Sequence, residues 1–157
     1  MTAQQIDFET RAEFSDLVLH ALQRSRHTIL LIDPTLADWP LDTRVQAQAL
    51  REAISRGARL RVLLRKTDWL ERNAPRLARL RRDFSARVEF RRLPAMLRLV
   101  DSVMVCDAVH TIRRVHADLI KGSAFFDEPR QANTPTERFE SAWPESEPCL
   151  PATTLGL

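Results

Sequence analysis

Glycine, cysteine and tyrosine are all scarce in this chain, whose 157 residues include three glycines, two cysteines and no tyrosine. With so little glycine, the chain has no glycine-rich loop of the kind that cradles phosphate groups. Cys106 and Cys149 are too few for a disulfide framework or a cysteine-based metal site, and no His-Glu-x-x-His spacing occurs. We therefore expect no metal and no other cofactor.

Long hydrophobic runs are also missing. Apolar stretches such as Ile29–Ile32 have the length of a strand, whereas a membrane-spanning helix needs about 20 apolar residues. The first residues of the chain are polar and acidic, unlike those of a signal peptide. Because 44% of the residues are hydrophobic and 29% are charged, the composition is that of a folded globule. We predict a cytoplasmic protein without membrane insertion, with a polar extension over 1–9, one domain over 10–145 and an extended tail over 146–157.

Positive charge is concentrated in one part of the chain. The formal net charge is only +3, yet residues 56–98 contain fourteen Lys and Arg against four Asp and Glu. Arg72, Arg76, Arg79 and Arg82 lie on one predicted helix face, and such a face can bind the phosphates of nucleic acid. Because 22 of the 24 basic residues are Arg, a general arginine bias with a solvated helix face explains the same pattern. Both interpretations remain open at this point.

Local signals predict helices that alternate with strands. Thr10 and Glu13 have the spacing of a capping box, and Gly57 is placed to end a helix in a left-handed conformation. Pro135 is expected at the first position of the last helix, after a long loop over 118–133. The predicted strands are Thr28–Ile32, Arg59–Arg65, Val88–Leu93, Leu97–Cys106 and His110–Val115, and the predicted helices are one that ends near Arg24, then Thr43–Arg56, Pro75–Phe84 and one from Thr134.

The order of these elements is α-β-α-β-α-β-β-β-α. Helices that alternate with strands are typical of parallel pairing, and consecutive strands are typical of hairpins. The sequence therefore predicts an α/β fold with a mixed β-sheet that is flanked by helices on both faces.

Four segments carry a family resemblance. They are Thr28–Asp33 as a first core strand, Ala53–Val62 as a helix, glycine turn and strand, Val100–Asp107, and Arg138–Trp143 as a closing helix. In order and spacing they resemble one half of a phospholipase D-type domain over residues 10–145, and they are also similar to a bacterial group of such stand-alone half domains. The resemblance implies a phospholipase D-like half-domain architecture. It also implies a homodimer, because half domains of this family pair across the active site.

The motif of this family is His-x-Lys, four further residues and Asp. In the family the imidazole attacks phosphorus and the ammonium group holds the phosphoryl oxygens. Aligned without gaps, this sequence has Val100 at the nucleophile position, Ser102 at the lysine position and Asp107 at the acidic position. An isopropyl group cannot attack phosphorus and a hydroxyl carries no positive charge. We therefore predict that this motif remnant is inactive and that Asp107 is a turn residue.

A polar segment that follows the remnant offers a different site. Strand alternation would place Arg114 and His116 on one face, close to Asp118 and Lys121. In a divergent phosphodiesterase or phosphotransferase, His116, Asp118 and Lys121 are the catalytic candidates. Arg114, Lys121 and Ser123 are the candidates for binding phosphate or another anion. A hairpin end that carries charged side chains explains the same residues.

The sequence supports three functional hypotheses. The first is a catalytically degenerate phospholipase D-like domain that acts as a binding or scaffolding module, works as a homodimer and takes an anionic or phosphate ligand. The second is an enzyme that uses His116, and the third is a nucleic-acid-binding protein that uses the arginine face. We favour the first, a protein that is not an enzyme, because both reactive side chains of the family motif are missing.

Overall fold

The computed structural model of the chain describes residues 2–98, 101–116 and 118–150. The strands are β1 Gln4–Phe8, β2 Thr28–Asp33, β3 Arg59–Leu64, β4 Val88–Arg92, β5 Val103–Cys106, β6 His110–Arg114, β7 Gly122–Phe126 and β8 Glu147–Cys149. The helices are α1 Arg11–Arg24, α2 Arg44–Ser55, α3 Asp68–Asn73, α4 Pro75–Asp83 and α5 Pro129–Ala142, with short 3-10 helices at Pro40–Asp42 and Trp143–Glu145. The strands form one eight-stranded sheet in the order β1-β7-β6-β5-β2-β3-β4-β8.

The sheet is mixed. β2, β3 and β4 are parallel, because α2 and the pair α3–α4 cross over between them. β5, β6 and β7 follow one another as antiparallel strands, and β5 is antiparallel to β2. β1 and β8 add antiparallel strands at the two edges. The predicted α/β fold with a mixed sheet is therefore confirmed.

Helices cover both faces of the sheet. α1, α2, α3 and α4 pack on one face, where residues such as Leu50 meet Leu31 of β2. α5 packs on the opposite face, where Phe139 meets Ile32. Because successive side chains of a strand point to opposite faces, β2 contributes to both cores. No helix in the described ranges is both long enough and apolar enough to cross a membrane.

The two local signals named above form as predicted. Thr10 accepts a hydrogen bond from the Glu13 amide at 3.1 Å, and the Glu13 carboxylate accepts one from the Thr10 amide at 3.2 Å, which completes the capping box of α1. Gly57 follows α2 with φ of +118°, a conformation that favours glycine.

The structure differs from the prediction in the segments around β1 and β7. Residues 4–8 were expected to be part of a polar extension but form β1, and residues 122–126 were expected in a loop but form β7. The two strands pair with each other over their full lengths. Only Phe8 of β1 is buried, and the alternation of Ile6 and Phe8 with Asp7 is too short to predict a strand.

The C-terminal part also differs. α5 begins at Pro129, so Pro135 lies inside the helix and not at its first position. Residues 147–149 of the predicted tail form β8 on the edge of β4. Residues 151–157 of that tail lie outside the described residues.

Candidate functional site

A buried polar network lies at one end of the central strands. Asp33 is the last residue of β2, Ser102 immediately precedes β5, and Arg114 is the last residue of β6. Because β5 is antiparallel to both neighbours, its beginning meets the ends of β2 and β6 at the same edge of the sheet. The topology therefore brings together three polar side chains that are far apart in sequence.

The carboxylate of Asp33 is the centre of this network. Its Oδ1 accepts hydrogen bonds from Ser102 Oγ at 2.6 Å, from Trp39 Nε1 at 3.2 Å and from Arg114 Nη1 at 3.4 Å. Its Oδ2 accepts hydrogen bonds from the Thr35 and Leu36 amides at 3.1 and 2.7 Å. Asp33 is only 3% exposed, so a full set of donors compensates its charge in a dry environment.

Arg114 is equally buried and bridges two carboxylates. Besides the contact with Asp33, its Nη2 donates to Asp38 Oδ2 at 3.1 Å and its Nε donates to the Leu119 carbonyl at 3.0 Å. Its Nη1 also donates to Ser102 Oγ at 3.3 Å. The guanidinium group is therefore held by the protein itself.

The Ser102 hydroxyl has all its hydrogen-bonding positions occupied. It donates its proton to Asp33 and accepts from Trp39 Nε1 at 3.0 Å as well as from Arg114. Ser102 is 3% exposed. A nucleophilic role for this hydroxyl would require the network to break.

An open cleft of about 430 Å³ lies beside the network, between β5, β6 and α5. Arg113 of β6 and Arg130 of α5 line it, and both are exposed. Arg138 also lines it and donates to Asp101 at 2.9 and 3.2 Å. Arg113 and Arg130 have no hydrogen-bond or carboxylate partner among the residues that the structure describes. The cleft therefore presents uncompensated positive charge to solvent.

Asp107 lies at the opposite end of β5 and has a structural role there. Its φ is +55°, and its carboxylate accepts hydrogen bonds from the amides of Arg26, His27 and Thr28 at 2.8, 2.7 and 3.0 Å. These bonds fix the β5–β6 turn to the start of β2. Val100, which the alignment places at the start of the expected motif remnant, lies outside the described residues.

The side chains of His116, Asp118 and Lys121 lie in solvent, at 63%, 86% and 61% exposure. His116 Nδ1 is 3.4 Å from Asp118 Oδ2, and Lys121 Nζ is 3.8 Å from a carboxylate oxygen of Glu9. β6 ends at Arg114, so the strand alternation that was expected to carry Arg114 and His116 onto one face stops before His116. The structure therefore does not assemble the expected acid–base site around a shared cleft.

Ser123 lies next to Arg113 across the β6–β7 pair, but its hydroxyl donates to Asp7 at 2.7 Å. That hydrogen bond lowers the pKa of the Asp7 carboxyl below its usual value. The three expected phosphate ligands Arg114, Lys121 and Ser123 thus have separate partners: the buried network, Glu9 and Asp7.

Arg72 lies on α3, whereas Arg76, Arg79 and Arg82 lie on α4, so the single helix face that was predicted is divided between two helices. All four arginines are exposed. Arg76 and Arg79 also line a second cleft of about 330 Å³, between α2 and α4. Arg44 of α2 lines the same cleft.

The cysteines offer no reactive group. Burial raises the pKa of the Cys106 thiol to about 12 and that of the Cys149 thiol to about 11. Within the described ranges, no three His, Cys, Asp or Glu side chains are grouped so that they could hold a metal ion.

Several residues of the site could not be predicted from the sequence. Asp33 was expected only as the end of the first core strand, and Arg130 was placed in a loop; Trp39 was not predicted as part of a site. Asp33 could have been suspected, because a carboxylate at the end of a strand that is otherwise apolar needs a buried partner. Nothing in the sequence indicates which cation is that partner.

Solved structures share this fold. TrmBL2, an archaeal chromatin protein whose structure shows a novel mode of DNA binding, superposes with a TM-score of 0.68 at 16% identity; the match covers 95% of this chain and 55% of that one. Nuc from Salmonella typhimurium, a phospholipase D family member, has a TM-score of 0.65 at 15% identity, and the match covers 94% of this chain and 97% of that one. NucT from Helicobacter pylori has a TM-score of 0.66 at 10% identity, and the match covers 94% of this chain and 100% of that one. This chain thus spans about half of TrmBL2 and nearly the full length of Nuc and NucT.

The architecture is therefore that of the phospholipase D-like class, and at these identities the likeness concerns the fold alone. Residues 10–155 match the family described as a domain of unknown function, DUF7931, and the chain belongs to that family. No curated protein matches the sequence.

Proposed function

We propose that this protein is a catalytically degenerate phospholipase D-like module that binds a phosphate-bearing anion without transforming it. The observation that carries the proposal is the buried network of Asp33, Trp39, Ser102 and Arg114. By the motif alignment, Ser102 stands where the family has its lysine. In this protein that position has a hydroxyl group, which donates a hydrogen bond to the carboxylate of Asp33.

Catalysis by the remaining polar residues has little support. A general base must come within about 3 Å of the proton that it removes, and the nucleophile must be held in place. His116 is mostly exposed, and its Nδ1 accepts a hydrogen bond from the Asp118 amide at 3.2 Å. Arg114 and Lys121, its proposed oxyanion partners, are bound to other carboxylates.

Anion binding is supported by the cleft between β6 and α5. Arg113 and Arg130 project into it from two elements of the fold, and guanidinium groups bind phosphate through two parallel hydrogen bonds. Most other arginines of the chain have a carboxylate or carbonyl partner, so arginines in a concave surface that have no such partner among the described residues indicate a place for an external anion.

Calorimetric titration with inorganic pyrophosphate tests this proposal. We expect the wild-type protein to bind pyrophosphate and the variant R113A/R130A to lose at least tenfold in affinity. The variant R44A/R79A removes the same charge from the opposite face of the sheet and serves as the matched control. Unchanged binding in R113A/R130A, a loss confined to R44A/R79A, or no binding by the wild type would each reject the proposal.

We also propose that the protein is a homodimer whose subunits meet at the end of the sheet that carries the network. Val115, at the rim of the cleft, is 69% exposed, and Leu119 is 52% exposed. Burying such apolar side chains favours association. Light scattering at about 50 μM should give the mass of a dimer for the wild type and of a monomer for Val115→Glu. A wild-type monomer at that concentration would contradict the dimer.

A further inference from the structure

A second basic cleft lies on the other face of the sheet, between α2 and α4. Its lining includes Arg44 and Arg51 of α2, and Arg76 and Arg79 of α4. The one carboxylate in the lining, Asp83, accepts a hydrogen bond from Arg51 at 2.7 Å. The described lining therefore carries a clear excess of positive charge.

This surface differs from the rest of the protein in how many of its arginine side chains lack a partner. Fifteen of the 22 arginines donate a hydrogen bond to, or form an ion pair with, a carboxylate, a hydroxyl or a backbone carbonyl. The seven with no such partner among the described residues are Arg44, Arg72, Arg79, Arg82, Arg98, Arg113 and Arg130. Arg113 and Arg130 belong to the cleft beside α5, and Arg98 adjoins residues that are not described. The other four all lie on α2, α3 and α4.

These arginines repel one another, and Arg44 also opposes the dipole of α2. Arg44 is the first residue of α2, and α2 has no acidic residue in its first turn. Cations at the N-terminus of a helix oppose the helix dipole at a cost of about 0.3–1 kcal/mol each. A bound polyanion would turn this repulsion into attraction.

The extent of the surface favours a long anion over a compact one. Arg79 and Arg82 are separated by about 4.5 Å along the axis of α4, given a rise of about 1.5 Å per residue. Arg82 and Arg72 lie outside the lining of the cleft, and α3, which carries Arg72, packs against α4. The positive charge thus continues beyond the lining of the cleft.

Among the described residues the Phe and Trp rings are buried or half-buried, and this favours a duplex over a single strand. Proteins that bind single strands stack the bases on aromatic side chains, and the large hydrophobic residues that are exposed in the described chain are all aliphatic or Met. The Gln48 amide in the cleft donates to Glu52 at 3.2 Å and is not directed to a base edge. Charge without stacking or base-reading groups is typical of binding to the phosphate backbone.

We infer that the cleft between α2 and α4, with Arg44, Arg79 and Arg82, binds the phosphate backbone of duplex nucleic acid without sequence preference. This site is independent of the proposed anion site beside α5. The two sites lie on opposite faces of the sheet and use different arginines.

Fluorescence anisotropy with a labelled 20-base-pair DNA duplex tests the inference. We expect the wild type to bind at 50 mM NaCl with an affinity that falls steeply as salt is added. R44A/R79A should bind at least tenfold more weakly, and its slope of log K against log salt should be shallower by about two units, since each phosphate contact contributes about 0.9. R44K/R79K keeps the charge and should retain most of the binding. The charge-matched control R113A/R130A should bind within twofold of the wild type.

Four results would overturn the inference: no duplex binding at 50 mM NaCl, unchanged binding in R44A/R79A, an equal loss in R113A/R130A, or tighter binding of the separated single strand than of the duplex. Pyrophosphate binding is tested through Arg113 and Arg130, whereas duplex binding is tested through Arg44 and Arg79. The two experiments therefore distinguish failure of the anion-site proposal from failure of the duplex-binding inference. Both substituted arginines are exposed, and an unchanged melting temperature would show that the variant is folded.

Discussion

Arg114 is the residue on which the buried network depends. Its charge is removed from water and is balanced by Asp33 and Asp38 at 3.4 and 3.1 Å. Removing one member of a buried pair leaves an uncompensated charge, which typically costs about 3–5 kcal/mol. We expect Arg114→Met to lower the free energy of unfolding by about that amount in urea titrations.

The neighbouring substitution Arg113→Met is the matched control for this experiment. Arg113 lies on the same strand but is exposed and has no partner among the described residues, so the change should stay within about 0.5 kcal/mol. A cost below about 1 kcal/mol for Arg114→Met would contradict the central place of the network.

His110 should make stability depend on pH. Burial, aided by the nearby Arg24 cation, lowers the pKa of His110 below its usual 6.5. The unfolded chain therefore takes up a proton more readily than the folded protein between these two pKa values. The stability that comes from neutral His110 is complete above about pH 6.5 and declines as the pH falls towards the folded pKa.

The comparison with His110→Asn isolates this effect. His110 Nδ1 accepts a hydrogen bond from the Asp127 amide at 3.1 Å, and an Asn oxygen can accept the same bond without titrating. Urea titrations at pH 7, 6 and 5 should show a steeper loss of stability for the wild type than for the variant. Parallel pH profiles would disprove the role of His110.

At the scale of elements, β1 depends on a close contact with β7. A methyl group on Gly122 would overlap the carbonyl oxygen of Arg113 and would lie 2.7 Å from the edge of the Phe8 ring. Overfilling a packed site typically costs about 1–3 kcal/mol. We expect Gly122→Ala to lower the free energy of unfolding by that amount and to speed hydrogen exchange of the β1 amides.

Gln5→Ala on β1 provides the control, because Gln5 is exposed and should tolerate the change within about 0.5 kcal/mol. If Gly122→Ala left both stability and the exchange of β1 unchanged, β1 would be a loosely attached extension, as the sequence alone suggested.

Elements with local signals could be predicted and those that depend on distant partners could not. The capping box at Thr10 and the turn at Gly57 are fixed by residues that are close in sequence. β1 exists because it pairs with β7, and nothing in Gln4–Phe8 indicates that partner. The same limit applies to the site: the sequence alignment predicts a departure from the family motif at Ser102, but the hydrogen bond from Ser102 to Asp33 depends on the pairing of β2 with β5.

At the scale of the whole molecule, the sheet separates two basic surfaces. The cleft beside α5 contains Arg113 and Arg130, whereas the surface of α2, α3 and α4 contains Arg44, Arg79 and their neighbours. The sequence concentrates basic residues in 56–98, but it does not show that Arg44 joins them or that Arg113 and Arg130 form a separate group. These groupings come from the fold.

The most direct test of the proposed module is a ³¹P NMR titration of bis(4-nitrophenyl) phosphate with the wild-type protein. We expect the phosphodiester signal to broaden on binding and the broadening to be lost in R113A/R130A. No phosphomonoester signal should grow above a protein-free sample over a day. Growth of the monoester signal, most tellingly if abolished in His116→Ala, would contradict a module that binds phosphate without catalysis, and an unbroadened signal would contradict the binding itself.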